Sequence, residues 1–252
     1  MAAATPEVPL GREPELLGQM VVVIGGSAGI GLETARRARA EGASVIITGR
    51  NPERLAEAAR EIGAQGRAAF DAEDPAALGA FFRDLPAPID HVMVTAGAPH
   101  YGPALEMPAE EARSALTGHL LLALEVARNA KDKVRPLGSL TFMGGTGARR
   151  PRVGLAIAST VTLALPALIA NLALELAPIR INLIACGFVD TPLSASLLGA
   201  DLDKRRAELR ATLPIQRVVQ PADVAALAVH LMSNTALTGA TFDIDGGQQL
   251  LA

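Results

Sequence analysis

The chain has 252 residues, half of them hydrophobic, with 3% aromatics and no tryptophan. That suits one large α/β domain around a core of Ala, Leu, Val and Ile. A formal charge of -3 gives no polyanion-binding surface, so nucleic acid is not expected as a partner.

Residues 1–18 are rich in Ala, Pro and Glu and have no clear period. They read as an N-terminal extension, ordered only where it docks, ahead of a single domain over 19–252. No basic segment followed by an apolar run is visible there, so no secretory leader is expected and a cytoplasmic location is. The single cysteine, Cys186, excludes an internal disulfide and agrees with a reducing compartment.

Met20–Ile24 is a short apolar run, as in a strand buried on both faces. A glycine turn follows, then an Ala/Arg-rich helix to Glu41 that Gly42 stops. Ser44–Thr48 is a second strand, Pro52–Ile62 a helix and Arg67–Phe70 a third strand. Pro75–Leu85 is helical and His91–Thr95 a fourth strand. Pro108–Ala130 is a long helical stretch, Ser139–Met143 a strand, Leu155–Ala177 a helix and Arg180–Ala185 a strand. Asp201–Thr212 and Pro221–Met232 read as helices and Ala240–Ile244 as the last strand. This alternation implies right-handed βαβ units: an α/β fold with a single Rossmann-like doubly wound parallel sheet and helices on both faces. The Leu155–Ala177 helix is apolar nearly all round, so burial on every side is expected. Pro166, Asn171 and Glu175 interrupt it and argue against a membrane span.

The turn after the first strand reads Ile24-Gly25-Gly26-Ser27-Ala28-Gly29-Ile30-Gly31. It stands between a strand and a helix, where a phosphate-binding turn belongs. Its spacing, G-x-x-x-G-x-G, differs from the G-x-G-x-x-G fingerprint. The glycines serve the tight turn (Gly25), backbone approach to a pyrophosphate (Gly29) and close helix–strand packing (Gly31). The helix N-terminus adds unpaired N–H groups and a partial positive charge. At the end of the second strand the chain reads Thr48-Gly49-Arg50, where an acid would hold the ribose 2′-hydroxyl of NAD. The Arg50 guanidinium suits the 2′-phosphate of NADP(H) instead; a solvated arginine at a strand end is the plainer alternative. Asp71, at the end of the third strand, suits either the adenine amino group or a cap on the next helix.

Further motifs follow in order: Thr95-Ala96-Gly97, then NLIACGFVDT from Asn182 to Thr191, then Thr238-Gly239 and Asp245-Gly246-Gly247. With the glycine turn they resemble the short-chain dehydrogenase/reductase family over about Met20 to Gly247, Cys186 standing in place of a proline of that family. The resemblance implies contacts to NADP(H) from Gly25, Ser27, Gly29, Ile30, Gly31, Arg50, Asp71, Ala96, Gly97, Gly187, Val189 and Thr191. It also implies that the Leu155–Ala177 helix packs against its copy in a homodimer or homotetramer.

The family's chemistry uses a Ser, a Tyr and a Lys. The positions that match them here hold Gly145, Ala158 and Thr162, so the chain is expected to belong to an atypical subgroup that lacks these three. The only tyrosine is Tyr101. Three sources of a replacement proton donor stand out. His119, near the family's assisting Asn, titrates near neutrality; a packed histidine beside Leu120 to Leu122 is the alternative. Tyr101 follows the Thr-Ala-Gly turn, where it could equally be a packing aromatic. Ser159 and Thr160 flank the lost tyrosine but have no base to activate them. His91, His100, His119 and His230 are scattered and make no metal site. Arg149, Arg150 and Arg152 form a basic run beside the expected cleft, either solvated or attracting an anionic substrate.

The resulting expectation is an NADP(H)-dependent reductase with a non-standard proton donor, acting on a small carbonyl or imine. An iminium arrives already protonated and tolerates the lost acid best. The alternative is a non-catalytic NADP(H)-binding sensor or structural subunit.

Overall fold

The computed structural model describes residues 13–147 and 151–251. Seven strands form one sheet: β1 (Met20–Ile24), β2 (Ser44–Gly49), β3 (Gly66–Ala69), β4 (Ile89–Val94), β5 (Val134–Gly145), β6 (Arg180–Cys186) and β7 (Thr241–Ile244). Their order is β3-β2-β1-β4-β5-β6-β7 and every pair is parallel. The helices are α1 (Gly29–Ala40), α2 (Pro52–Ile62), α3 (Pro75–Asp84), α4 (Ala109–Ala130), α5 (Ala156–Glu175), α6 (Pro192–Leu198), α7 (Leu202–Thr212) and α8 (Pro221–Ser233).

Alternation along β1 shows how the layers form. Val22 and Ile24 pack with Phe82 of α3, Val126 of α4 and Ile169 of α5. Val21 and Val23 point the other way, onto Ala35 of α1, Leu55 of α2 and Ala228 of α8. Both faces are covered, which is why the strand is apolar at every position. The doubly wound sheet read from the sequence is the fold observed.

One boundary differs from the sequence reading and two details add to it. β5 starts at Val134, five residues early, because Val134 pairs with Ile89 across a register irregularity. Residues 13–18 include Leu16, which is fully buried and donates its N–H to Glu41 O at 3.0 Å. α5 is buried along one side only, by residues such as Ile157, Leu165 and Ile169. Leu163 is 62% and Leu174 79% exposed on its other side, so a single chain does not surround this helix. By length and composition alone α5 could cross a membrane.

Candidate functional site

The strand order reverses between β1 and β4, and a crevice opens there beyond the carboxyl ends of the strands. In open α/β sheets ligands bind at such a switch point. The cleft has a volume of about 590 Å³. It gathers Gly25, Gly29, Ile30 and Gly31 from the β1 turn, Ala96 and Gly97 from the end of β4, and Gly187, Val189 and Thr191 from beyond β6. His119 and Tyr101 line it too, as do Gly145, Ala158 and Thr162. Ser27, Arg50 and Asp71 are not among its walls; they lie on the β2–β3 side.

The β1 turn is fixed from two neighbours. Gly26 donates its N–H to Thr48 O at 2.8 Å, and Thr95 Oγ1 donates to Gly25 O at 3.0 Å. Gly25 takes a φ of +94°, which only glycine adopts readily. A Cβ on Gly31 would run into Gly25 O and Thr95 Oγ1, so helix and strand approach too closely for any side chain. The N-cap of α1 is Ala28, in extended conformation and without a side-chain cap. The first N–H groups of α1 are thus left for a ligand, and an anion suits them. Ser27 is buried, its Oγ 2.7 Å from where a Gly49 Cβ would be, so it wedges the turn against β2. Arg50 is exposed and pairs with no described carboxylate. Asp71 Oδ1 accepts from Glu73 N at 3.1 Å. The cap on α3 is Asp74, which accepts from Ala76 N at 2.9 Å, so the capping alternative for Asp71 fails. These groups fit a dinucleotide: a cradle without side chains, a free helix terminus and an unpaired guanidinium.

The β5–α5 side is built otherwise. A Cβ on Gly145 would lie 3.3 Å from Thr162 Cγ2, so the two positions face each other. Thr162 Oγ1 donates to Ala158 O at 2.9 Å, turning its hydroxyl back onto its own helix. Thr160 does the same to Ala156 O. Ser159 lines the cleft.

His119 is half-buried, and its Nε2 is 2.8 Å from where a Gly97 Cβ would be. The imidazole therefore lies against the Thr-Ala-Gly turn. Burial holds its pKa below the ordinary value, with Glu73 raising it and His100 lowering it further. Tyr101 is 55% exposed, and partial desolvation pushes its phenol up, so it is a hydrogen-bond donor more than an acid. Cys186 also lines the cleft, with its thiol pushed up to about 12 by burial and by Asp245. It stays protonated and is not a nucleophile.

Sequence reasoning missed two parts of the site. Thr146 is only 4% exposed, lines the cleft and directs its hydroxyl to no partner among the described residues. It follows Gly145 directly, and the motif comparison drew attention only to the residue before it. Helix α6, which contributes Leu193 and Leu197 to the cleft, was also unforeseen. Its signal was present: Thr191 accepts from Ser194 N at 3.1 Å and Ser194 Oγ accepts from Thr191 N at 2.9 Å, with Pro192 at the first helical position. Ala148, Arg149 and Arg150 lie outside the described residues, so of the basic run only Arg152 is placed. Among the described residues no cluster of His, Cys, Asp and Glu could hold a metal.

Residues 25–249 match the family model described as enoyl-(acyl carrier protein) reductase. The short-chain dehydrogenase/reductase ATR9 of Stachybotrys chlorohalonatus is 30% identical over 251 residues, 93% of this chain and 98% of the relative. The chain belongs to the short-chain dehydrogenase/reductase family. The NADP-dependent (R)-specific alcohol dehydrogenase of Lentilactobacillus kefiri is similar at 29% identity, over 92% of this chain and 97% of that one. Among solved structures, BdcA in complex with NADPH superposes with a TM-score of 0.82 at 28% identity, covering 92% of this chain and 95% of that one. Family membership accounts for the order of motifs around this cleft.

Proposed function

We propose that the chain is an NADP(H)-dependent reductase with a non-standard proton donor, acting on a small carbonyl or imine. One observation carries this reading. The same cleft has an anion-ready helix terminus at one end and Gly145, Ala158 and Thr162 at the other. The NADPH in BdcA and the NADP dependence of the Lentilactobacillus enzyme support the cofactor, as does unpaired Arg50. In this reading Gly25, Ser27, Gly29, Ile30 and Gly31 hold the pyrophosphate, Arg50 the 2′-phosphate and Asp71 the adenine. Ala96, Gly97, Gly187, Val189 and Thr191 hold the nicotinamide end.

Bound NADP(H) supplies the hydride. The protein's own task is to orient the acceptor and, for a ketone, to protonate the alkoxide. Thr146 offers a hydroxyl to the acceptor heteroatom. His119 is the proton donor within the cleft and Tyr101 a second donor at its rim. An iminium needs no proton, which makes cyclic imines the favoured substrates. The exposed apolar side of α5 is covered by a second copy of the chain, in a homodimer or homotetramer.

Fluorescence titration with NADPH and NADH checks the cofactor, and equal affinities would remove the role of Arg50. Cofactor oxidation with ketones, enones and cyclic imines checks the chemistry, with cyclic imines expected to react fastest. No oxidation above background with any of them leaves a non-catalytic NADP(H)-binding protein.

A further inference from the structure

A smaller recess of about 180 Å³ adjoins the cleft. Gly147, Leu155, Arg205 and Gln248 are walls of both, so a ligand lying in one extends directly into the other. We propose that this recess is a subsite for a carboxylate on the substrate, held by Arg152 and Arg205. The inference rests on the reductase reading of the cleft, whose substrate it describes more closely.

The donors are available. Arg152 lines the recess and its guanidinium has no partner among the described residues. Arg205 spends only Nη1, on Glu208 Oε2 at 2.9 Å one turn further along α7. Nε and Nη2 remain, and a guanidinium fork matches a carboxylate two bonds at a time. Gln248 Oε1 accepts from Phe188 N at 2.9 Å, which fixes its amide and leaves the NH₂ group unspent.

The charges select a monoanion. Among the described residues no Asp or Glu lines the cleft, and Glu208 is the only one in the recess. Two guanidiniums against one carboxylate leave a single positive charge uncompensated. The remaining walls of the recess include Leu155, Leu209 and Leu251, which suit hydrocarbon between the acid and the reacting carbon. Such an anchor also has a chemical use. With Gly145 and Ala158 in place of the usual Ser and Tyr, little at the reacting end fixes the acceptor, and a charge clamped at the far end fixes it instead.

The test is calorimetric titration of the full chain, with and without saturating NADPH, using decanoate, decanamide and decyl phosphate. Decanoate is expected to bind at least roughly tenfold more tightly than decanamide at low salt, an advantage that shrinks as salt screens it. In the Arg152→Gln/Arg205→Gln double variant the advantage disappears, while decanamide and NADPH bind as before. The Arg205–Glu208 pair is solvent-exposed and weak, so this variant folds, and an unchanged melting temperature shows it. Equal binding of decanoate and decanamide, or an advantage that survives in the double variant, overturns the proposal. Preference for decyl phosphate with none for decanoate also overturns it. If NADPH fails to bind while the decanoate preference holds, the reductase reading falls and the subsite stands.

Discussion

At the amino ends of the central strands, His91 is held between Ser139 Oγ at 2.8 Å and Gln19 Oε1 at 2.7 Å. Burial, with Arg180 and Arg135 nearby, lowers its pKa to about 3, so it is a neutral imidazole. Asp90 Oδ2 accepts from Met20 N at 2.6 Å. Arg180 donates to the carbonyls of Leu137, Leu231, Met232, Asn234 and Leu237. At the carboxyl ends of the same sheet, Thr146, Arg50 and the first N–H groups of α1 find no side-chain partner. A buried polar group without a partner costs free energy, which the amino end avoids by pairing its groups; Arg50 is exposed and the α1 N–H groups open onto the cleft, so neither carries that cost. The amino end satisfies its groups internally and stabilises the fold; the carboxyl end leaves them for a ligand.

Breaking the amino end gives the largest expected effect. Arg180→Met removes the guanidinium from the carbonyls of Leu137, Leu231 and Met232 in a buried site, whereas Leu237 O keeps Asn182 Nδ2 and Asn234 O keeps Leu237 N. It is expected to lower unfolding free energy by at least about 3 kcal/mol, from several unsatisfied acceptors. Urea denaturation measures this. NADPH affinity of the folded protein is expected to hold, because Arg180 is at the far end of β6. Loss of affinity with no loss of stability would show that the two ends are not separable in this way.

The sequence carried the carboxyl end far better than the amino end. Glycine turns, the NLIACGFVDT segment and Arg50 are local patterns, each contained in one short stretch of chain. The doubly wound parallel sheet followed from alternation and handedness, since each β–α–β unit constrains the next. The amino-end network is not local: Gln19, His91 and Ser139 are brought together only by strand pairing. His91 therefore read as one of four scattered histidines, and Arg180 as the first residue of a strand. Thr146 escaped for a different reason. Its partnerless hydroxyl is visible only once its burial and its neighbours are known. The one-sided burial of α5 was not legible in its composition, because an apolar helix looks the same whether its own chain or another covers it; only the family resemblance pointed to a covering copy.

The comparison is sharpened at the cofactor end by Arg50→Ala. NADPH affinity is expected to fall roughly 10–100-fold, the loss of a charge-assisted pair to phosphate. NADH affinity is expected to stay within about twofold, since NADH has no 2′-phosphate for the guanidinium to meet. Unfolding free energy is expected to move by less than about 0.5 kcal/mol, as for an exposed side chain without partners. A parallel fall for NADPH and NADH would make Arg50 a structural element of the β2 end.

The smallest expected effect lies at the chemical end and concerns His119. Its pKa is held below the ordinary 6.5 mainly by burial, so the imidazolium is scarce at pH 7 and accumulates as pH falls. Ketone reduction that draws its proton from His119 should therefore speed up as pH drops through that lowered pKa and level off below it. Removing a well-protonated general acid typically costs 10²–10⁴-fold, but a donor mostly neutral at pH 7 gives less, about tenfold for His119→Gln. The variant should also lose the acid-side rise. An N-methyl cyclic iminium, permanently charged, separates proton delivery from positioning. Its reduction needs no acid, so its rate should show no His119-dependent rise at low pH and should change little in the variant. If His119→Gln slows both substrates equally at every pH, the imidazole positions the acceptor against the Gly97 turn, and the proton for a ketone comes from Tyr101 or from water.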